Sequence, residues 1–242
     1  MVPGNERNIK ITTELDLFLA EQLWRQEQLT LSPKTCSLEG KRFAITGGTG
    51  GIGSALSHLL KNEGATTLII SRHASEYPAD LTDYAQVKKI FHQLGPLDGL
   101  INSIGSFIRK PVQEHTPQDI EALIKTNFTS VVYACQCAQV KEGGHIINIA
   151  SSAYSRGRKN YALYSATKAA TVNFTQGLAE ERPDIHINAL IPERTNTPMR
   201  CTHFPEENPT ELMSPEKVAG EIITLLKQKQ LTGLTIDVRM SR

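Results

Sequence analysis

Thr46-Gly47-Gly48-Thr49-Gly50-Gly51-Ile52-Gly53 is the stretch on which the reading of this chain turns. It follows a short apolar run, Arg42–Thr46, and opens a segment, Ile52–Asn62, whose apolar residues recur with helical spacing. Glycines placed there let the backbone turn sharply and approach a pyrophosphate seated at a helix amino terminus. A glycine cluster by itself is an ordinary turn, but between a strand and a helix it points to a bound nucleotide.

The same strand, turn, helix rhythm extends outward from that turn. Apolar runs predict strands at Arg42–Thr46, Thr67–Ser71, Gly99–Asn102, His145–Ala150, Ile185–Leu190 and Leu234–Val238, with a further strand ending at Asp80. Helical periods lie between most of them: Ile52–Asn62, Tyr84–Leu94, Pro117–Val140, Tyr161–Glu181 and Pro215–Gln230. In Tyr84–Leu94, for example, Val87, Ile90, Phe91 and Leu94 share one face. This alternation predicts an α/β fold, a Rossmann-type doubly wound parallel sheet of about seven strands with helices on both faces. The interval Ser71–Asp80 is too short for a helical crossover, which takes roughly a dozen residues, so its helix is expected to be missing or reduced to a loop.

Upstream, residues 1–29 read as an amphipathic appendage with a helix over Thr13–Gln28. Leu15, Leu19 and Leu23 form its stripe, Phe18 and Trp24 flank it, and Thr13 with Asp16 resembles an amino-terminal cap with an acidic partner. Residues 30–37, TLSPKTCS, read as a linker, and 38–242 as the α/β domain.

At 242 residues, 39% hydrophobic and 21% charged, the chain supports a substantial core and excludes collagen-like, disordered and disulfide-dense classes. No apolar run approaches the ~20 residues that span a bilayer. The amino terminus, MVPGNERNIK, carries charge where a signal peptide needs an apolar stretch. The four cysteines show neither C-x-x-C nor metal-ligand spacing, so reduced thiols and a cytoplasmic location are expected, without a metal. A net charge of +1 without basic blocks leaves no footprint for nucleic acid.

Tyr164-Ser165-Ala166-Thr167-Lys168 puts a phenol and an ammonium group one helical turn apart on one face. A tyrosine with its ordinary pKa of ~10 exchanges protons poorly at neutral pH, and a nearby cation is expected to lower that value. Ser151 closes a predicted strand, where ligands meet an open α/β sheet, and can hydrogen-bond a carbonyl. Asn127 lies on a predicted apolar stripe with Ile120, Ile124 and Val131. It is either a buried, hydrogen-bonded asparagine or a water-holding residue that links Lys168 to solvent. After the second strand, Ser71-Arg72 lacks the acidic hook for a free ribose 2′-hydroxyl; Arg72 instead suits a 2′-phosphate, favouring NADP(H) over NAD, and Asp80 is placed to meet the adenine.

Together these residues resemble the short-chain dehydrogenase/reductase family from Leu38 to Val238. The turn at 46–53, Asp80, Asn102-Ser103-Ile104-Gly105 in place of the family's Asn-Asn-Ala-Gly, Asn127, Ser151, Tyr164 and Lys168 follow the family's order. The resemblance implies that Tyr164 donates the proton, Ser151 polarises the carbonyl, Lys168 holds the nicotinamide ribose and Asn127 completes a proton relay. It also implies coenzyme contacts from Gly47, Thr49, Gly51, Ile52 and Gly53 at the turn. Further contacts would come from Ser71, Arg72, Asp80 and Leu81, and from Asn102, Tyr164, Lys168 and Thr197. At Pro192-Glu193 the family's usual glycine is glutamate, so the chain there is expected to run differently.

Residues 192–200 and the ending Thr235–Arg239 are similar to the reductase half of bifunctional cytidylyltransferase/reductases, and residues 4–16 to the carboxy-terminal end of sugar-phosphate cytidylyltransferases. That likeness implies NADPH-dependent reduction of ribulose 5-phosphate to ribitol 5-phosphate for CDP-ribitol, with residues 1–29 as part of a larger protein that carries a cytidylyltransferase. Arg156, Arg158, Arg194 and Arg200, with Lys159, are candidates for the substrate phosphate, since arginine forks bind phosphate bidentately; clustering around the pocket would distinguish them from solvated surface residues. The segment 193–214 is expected to fold over the substrate. Pairing into a homodimer or homotetramer is expected by resemblance through the helices that carry Asn127 and Tyr164. A generic carbonyl or 3-oxoacyl reductase and a non-catalytic scaffold module are the alternatives.

Overall fold

The computed structural model describes residues 10–13, 16, 20, 36–72, 75–229 and 231–240. By contacts the chain divides into residues 1–35 and 36–242. In the first unit the expected cap is present: Thr13 Oγ accepts the Asp16 N–H at 3.2 Å, and the Asp16 carboxylate accepts the Thr13 N–H at 2.8 Å. The predicted stripe of Leu15, Leu19 and Leu23 with Phe18 and Trp24, and most of the linker, lie outside the described residues.

The second unit is built on seven parallel strands: β1 (Arg42–Thr46), β2 (Thr66–Ser71), β3 (Tyr77–Pro78), β4 (Leu97–Asn102), β5 (Val140–Ile149), β6 (His186–Pro192) and β7 (Thr235–Val238), in the order β3-β2-β1-β4-β5-β6-β7. Phe43, Ala44 and Ile45 of β1 are all fully buried, as expected where helices cover both faces of a parallel sheet. Helix α1 (Gly51–Asn62) packs against α7 (Pro215–Leu226), and α2 (Tyr84–Leu94) against α4 (Ser130–Cys137). The remaining helices are α3 (Pro117–Ile124), α5 (Ala162–Glu181) and α6 (Pro198–His203). Strand order reverses between β1 and β4, and that reversal opens a crevice at the carboxyl ends of the strands.

The short interval after β2 contains no helix among the described residues. Ser75 Oγ bonds both the carbonyl and the N–H of Ser71, at 3.2 and 3.3 Å, folding the connection back so that Ile70 pairs with Tyr77. Pro78, which has no N–H to give, is tolerated because β3 is an edge strand.

One predicted helix is corrected. Pro117–Val140 is not continuous: α3 ends at Ile124, Lys125–Thr129 form a π-helical turn, α4 ends at Cys137, and Val140 begins β5. Val140 pairs with Leu97, so sheet formation overrides the helical pattern there. The predicted apolar stripe also fails in part: Val131 is buried, but Ile120 and Ile124 are 37% and 40% exposed. The last long helix stops at Leu226, short of Gln230.

Candidate active site

The crevice is a cleft of about 1410 Å³ running across the carboxyl ends of the strands. Its floor is the glycine turn. Gly47 has φ +66°, and a Cβ there would sit 2.8 Å from the Cα of Ile104, so both the turn and the loop after β4 require a bare backbone. A Cβ on Gly53 would come within 2.7 Å of the Gly47 carbonyl, which keeps α1 tight against the turn. Helix α1 starts without a side-chain cap and without an acid in its first turn, so its first N–H groups and positive dipole end are offered to the cleft beside Thr49, Gly51 and Ile52. That tight turn with an open helix terminus fits the pyrophosphate of a dinucleotide.

Ser71, Arg72, Asp80 and Leu81 line one end of the cleft. The Asp80 carboxylate is held by the Thr82 N–H and hydroxyl at 2.9 and 2.8 Å. Thr197 lines the cleft too and caps α6 by accepting the Arg200 N–H at 3.2 Å. Two expected contacts fall elsewhere. Gly53 lies beneath the turn rather than on the cleft wall. The Asn102 side chain points into the protein: it accepts from Thr46 Oγ at 3.0 Å and donates to Asn148 Oδ1 at 2.8 Å, and Asn148 donates on to Thr175 Oγ at 2.9 Å. This buried ladder ties β1, β4, β5 and α5 together just below the site, and it leaves Asn102 no side-chain atom for a coenzyme.

Ser151, Tyr164 and Lys168 meet on the cleft wall. The Ser151 hydroxyl interacts favourably with the Tyr164 phenolate, and its Oγ accepts the Ala153 N–H at 3.2 Å. Lys168 Nζ donates to the Ile149 carbonyl at 3.0 Å, and burial pushes its pKa down to about 8. The expected lowering of the phenol is corrected here. Burial raises the Tyr164 pKa, opposed by the Ser151 hydrogen bond and by the positive charge of Arg200; the Lys168 ammonium, 5.9 Å from the ring centre, faces the end of β5 instead. Asn127, fully buried on the π-turn, pairs with both backbone groups of Ser106, accepting the N–H at 2.7 Å and donating to the carbonyl at 3.0 Å. Its amide also donates to Thr167 Oγ at 3.2 Å. From the π-turn Asn127 thus fixes the loop after β4, where a Cβ on Gly105 would lie 3.6 Å from Lys168 Nζ. Among the described residues no group of three His, Cys, Asp or Glu is placed to hold a metal, and no helix is long and apolar enough to cross a membrane.

Residues 41–208 match the family model described as short chain dehydrogenase. The chain belongs to the short-chain dehydrogenase family. It is an oxidoreductase, and its fold agrees with solved members. A dehydrogenase/reductase from Sinorhizobium meliloti 1021 superimposes with a TM-score of 0.77 at 28% identity, over 88% of this chain and 97% of that one. A short-chain dehydrogenase from Burkholderia cenocepacia J2315, solved in complex with NADP, gives 0.75 at 26% identity, over 84% and 98%. The bifunctional ribulose 5-phosphate reductase/CDP-ribitol pyrophosphorylase Bcs1 of Haemophilus influenzae is 32% identical over 98% of this chain, which spans 52% of that protein's length.

At the other end of the cleft this short-chain dehydrogenase gathers arginines and aromatic rings. Arg158, Arg194 and Arg200 line the cleft, whereas Arg156 and Lys159 are exposed outside it. Phe107 sits at the centre of a ring cluster, its centroid 4.6 Å from Tyr164, 5.2 Å from Tyr161 and 5.5 Å from Phe204. The segment after β6 is ordered rather than loose: Thr195 bridges Met213, and Arg109 anchors it from the loop after β4 through the His203 carbonyl at 2.9 Å and Glu206 at 2.8 Å. Glu193 takes no left-handed angle; its carboxylate accepts the Met240 N–H at 3.1 Å and pins the chain beyond β7. Phe107, Arg109, Phe204 and Glu207 were not legible as site residues, because each acquires its role from a partner distant in sequence or from a loop that lacks periodicity.

Proposed function

We propose that this chain reduces the ketone of a pentulose phosphate with NADPH, most specifically ribulose 5-phosphate to ribitol 5-phosphate. One observation carries the reading: a serine and a tyrosine with a buried lysine and a set of arginines line one cleft, so a proton donor and anion-binding groups are open to the same ligand. Arg72 at the far end suits the 2′-phosphate that distinguishes NADP, and the Burkholderia relative is an NADP complex. Bcs1 carries ribulose 5-phosphate reductase in its name, and the match to it extends through residues that precede the reductase fold.

The coenzyme, when bound along the glycine turn, supplies the hydride. Tyr164 Oη delivers a proton to the ketone oxygen, and Ser151 Oγ hydrogen-bonds that oxygen as negative charge grows on it. Lys168 and the loop held by Asn127 place these groups. A cytidylyltransferase linked to this chain, use of the product for CDP-ribitol and surface polysaccharide, pairing of copies through α3, α4 and α5, and a cytoplasmic setting belong to the same proposal.

The test is coenzyme oxidation with NADPH and NADH against ribulose 5-phosphate, other ketose phosphates and free ribulose. Tyr164→Phe is expected to lower kcat/KM by about a thousandfold. Good turnover of unphosphorylated ketones with none of the phosphorylated ones would sink the substrate assignment. The aromatic wall of Phe107, Tyr161 and Phe204 favours one second reading, a reductase of uncharged carbonyl compounds. Under that reading, replacing Arg194 and Arg200 with alanine leaves turnover of such compounds nearly unchanged.

A further inference from the structure

Arg200 is held on one edge and one face before any ligand arrives. Its Nε and Nη2 donate to the two carboxylate oxygens of Glu207 at 2.7 and 2.6 Å, and its guanidinium lies 3.9 Å over the Phe204 ring. This is a half-buried pair, with side chains 21% and 17% exposed, not a surface contact of little consequence. Arg194 reaches the same carboxylate at 3.4 Å from the other flank of the segment. Pairing with these arginines, Arg200 foremost, holds the Glu207 carboxyl below its usual range, so it is charged at neutral pH. Among the described residues Arg200 Nη1 has no partner, and the Arg158 side chain makes no hydrogen bond or ion pair.

Resting on the ketose-phosphate reading above, we propose that Glu207 is a positioning residue that fixes Arg200, with Arg194 beside it, for a phosphate subsite at the substrate end of the cleft, where Arg158 also lines the wall. Glu207 itself does not line the cleft, whereas the three arginines do. It therefore acts through Arg200, occupying one edge of the fork and leaving the other for the ligand. The three guanidinium groups outnumber the carboxylates at this end, and the net positive charge suits a phosphate carrying about −1.5 to −2 at neutral pH. Glu193, the other carboxylate at this end, is engaged with the Met240 N–H, and positive charge still prevails when it is counted. A free arginine surrenders its rotamer freedom on binding; here folding has already fixed it, so phosphate binding need not order the side chain. The ring contacts from Phe204 through Phe107 to Tyr164 place this charge cluster near the proton donor.

The experiment compares the chain with its Glu207→Gln and Arg200→Lys variants. KM and kcat are measured with NADPH for ribulose 5-phosphate and for ribulose, together with competitive inhibition by inorganic phosphate. The wild type is expected to prefer the phosphorylated sugar. Glu207→Gln is expected to cut that preference at least tenfold, mainly through KM, and to weaken inhibition by inorganic phosphate comparably. Arg200→Lys, which keeps the charge but loses the two-pronged pairing, is expected to do the same, and it decides the matter alone if Glu207→Gln shows no cooperative melting. Full preference and full phosphate inhibition in a folded variant would overturn the role of Glu207 while leaving the ketose-phosphate reading intact. A wild type indifferent to the phosphate would remove that reading and this inference together.

Discussion

Gly47→Ala tests whether the glycine turn is held by close backbone approach or only by its backbone angles. The alanine must take φ +66°, a left-handed conformation that costs an L-residue about 1–2 kcal/mol. Its Cβ would also lie 2.8 Å from Ile104 Cα, 2.9 Å from Ile104 N and 2.9 Å from Ser103 C, all backbone atoms that no rotamer change can move. Overpacking of that kind adds roughly 1–3 kcal/mol. The two together give ~2–5 kcal/mol, which lowers Tm by on the order of 10 °C for a domain of this size. Gly143→Ala is the matched control. Gly143 has φ +69° but nothing within 4 Å of its added Cβ, so only the first cost applies and Tm falls by about a few degrees. Thermal unfolding of both variants, with NADPH titrated by fluorescence, gives the answer. Gly47→Ala is expected to melt lower than Gly143→Ala and to lose at least ~10-fold in NADPH affinity, since the turn must part from the loop after β4. Equal melting of the two variants, with coenzyme binding intact, would refute the close-approach argument.

Two pH effects can be read from buried bases. Burial takes Lys168 from an ordinary value of 10.5 to about 8, so between those values the unfolded chain holds a proton that the folded one has released. Unfolding free energy without coenzyme should therefore rise with pH across that window, and Lys168→Met should abolish the rise along with turnover; a flat difference in chemical denaturation between pH 8 and 10 would show that the lysine is not desolvated as drawn. The His145 ring lies tilted against His186 on the neighbouring strand, centroids 5.0 Å apart. Burial, with the charges of His186 and Lys229, pushes its pKa from 6.5 to about 4. Stability should hold above pH 6.5 and fall by about 3 kcal/mol as pH drops toward 4, a loss that His145→Leu should lessen in urea melts.

Much of the site is local in sequence, and that part was readable. The turn at 46–53 lies between one strand and one helix, and Tyr164 and Lys168 lie on successive turns of α5, so spacing alone predicts that each set acts together. That the described residues after β2 form no helix was readable from the length of the interval. Asn127 was legible as a buried polar residue needing partners, but its partner, the Ser106 backbone, comes from a loop without periodicity. The split of Pro117–Val140 was not legible, because Val140 leaves the helical pattern only through its pairing with Leu97 of β4.

What the chain determines by itself, then, is the sheet, its crevice and the identity of the groups placed there, since hydrophobic period and glycine position act over neighbouring residues. Tertiary structure alone decides which polar groups face the cleft and which are spent within the protein. Asn102 stands where the family motif expects a ligand contact, yet Asn148, 46 residues later, takes its amide. Arg156 and Arg158 are alike in sequence, but only Arg158 lines the cleft. Glu207 converts Arg200 from a flexible surface cation into a fixed fork, and Arg109 reaches across 94 residues to hold the same segment. Those pairings depend on distances between elements remote in sequence, which only packing fixes.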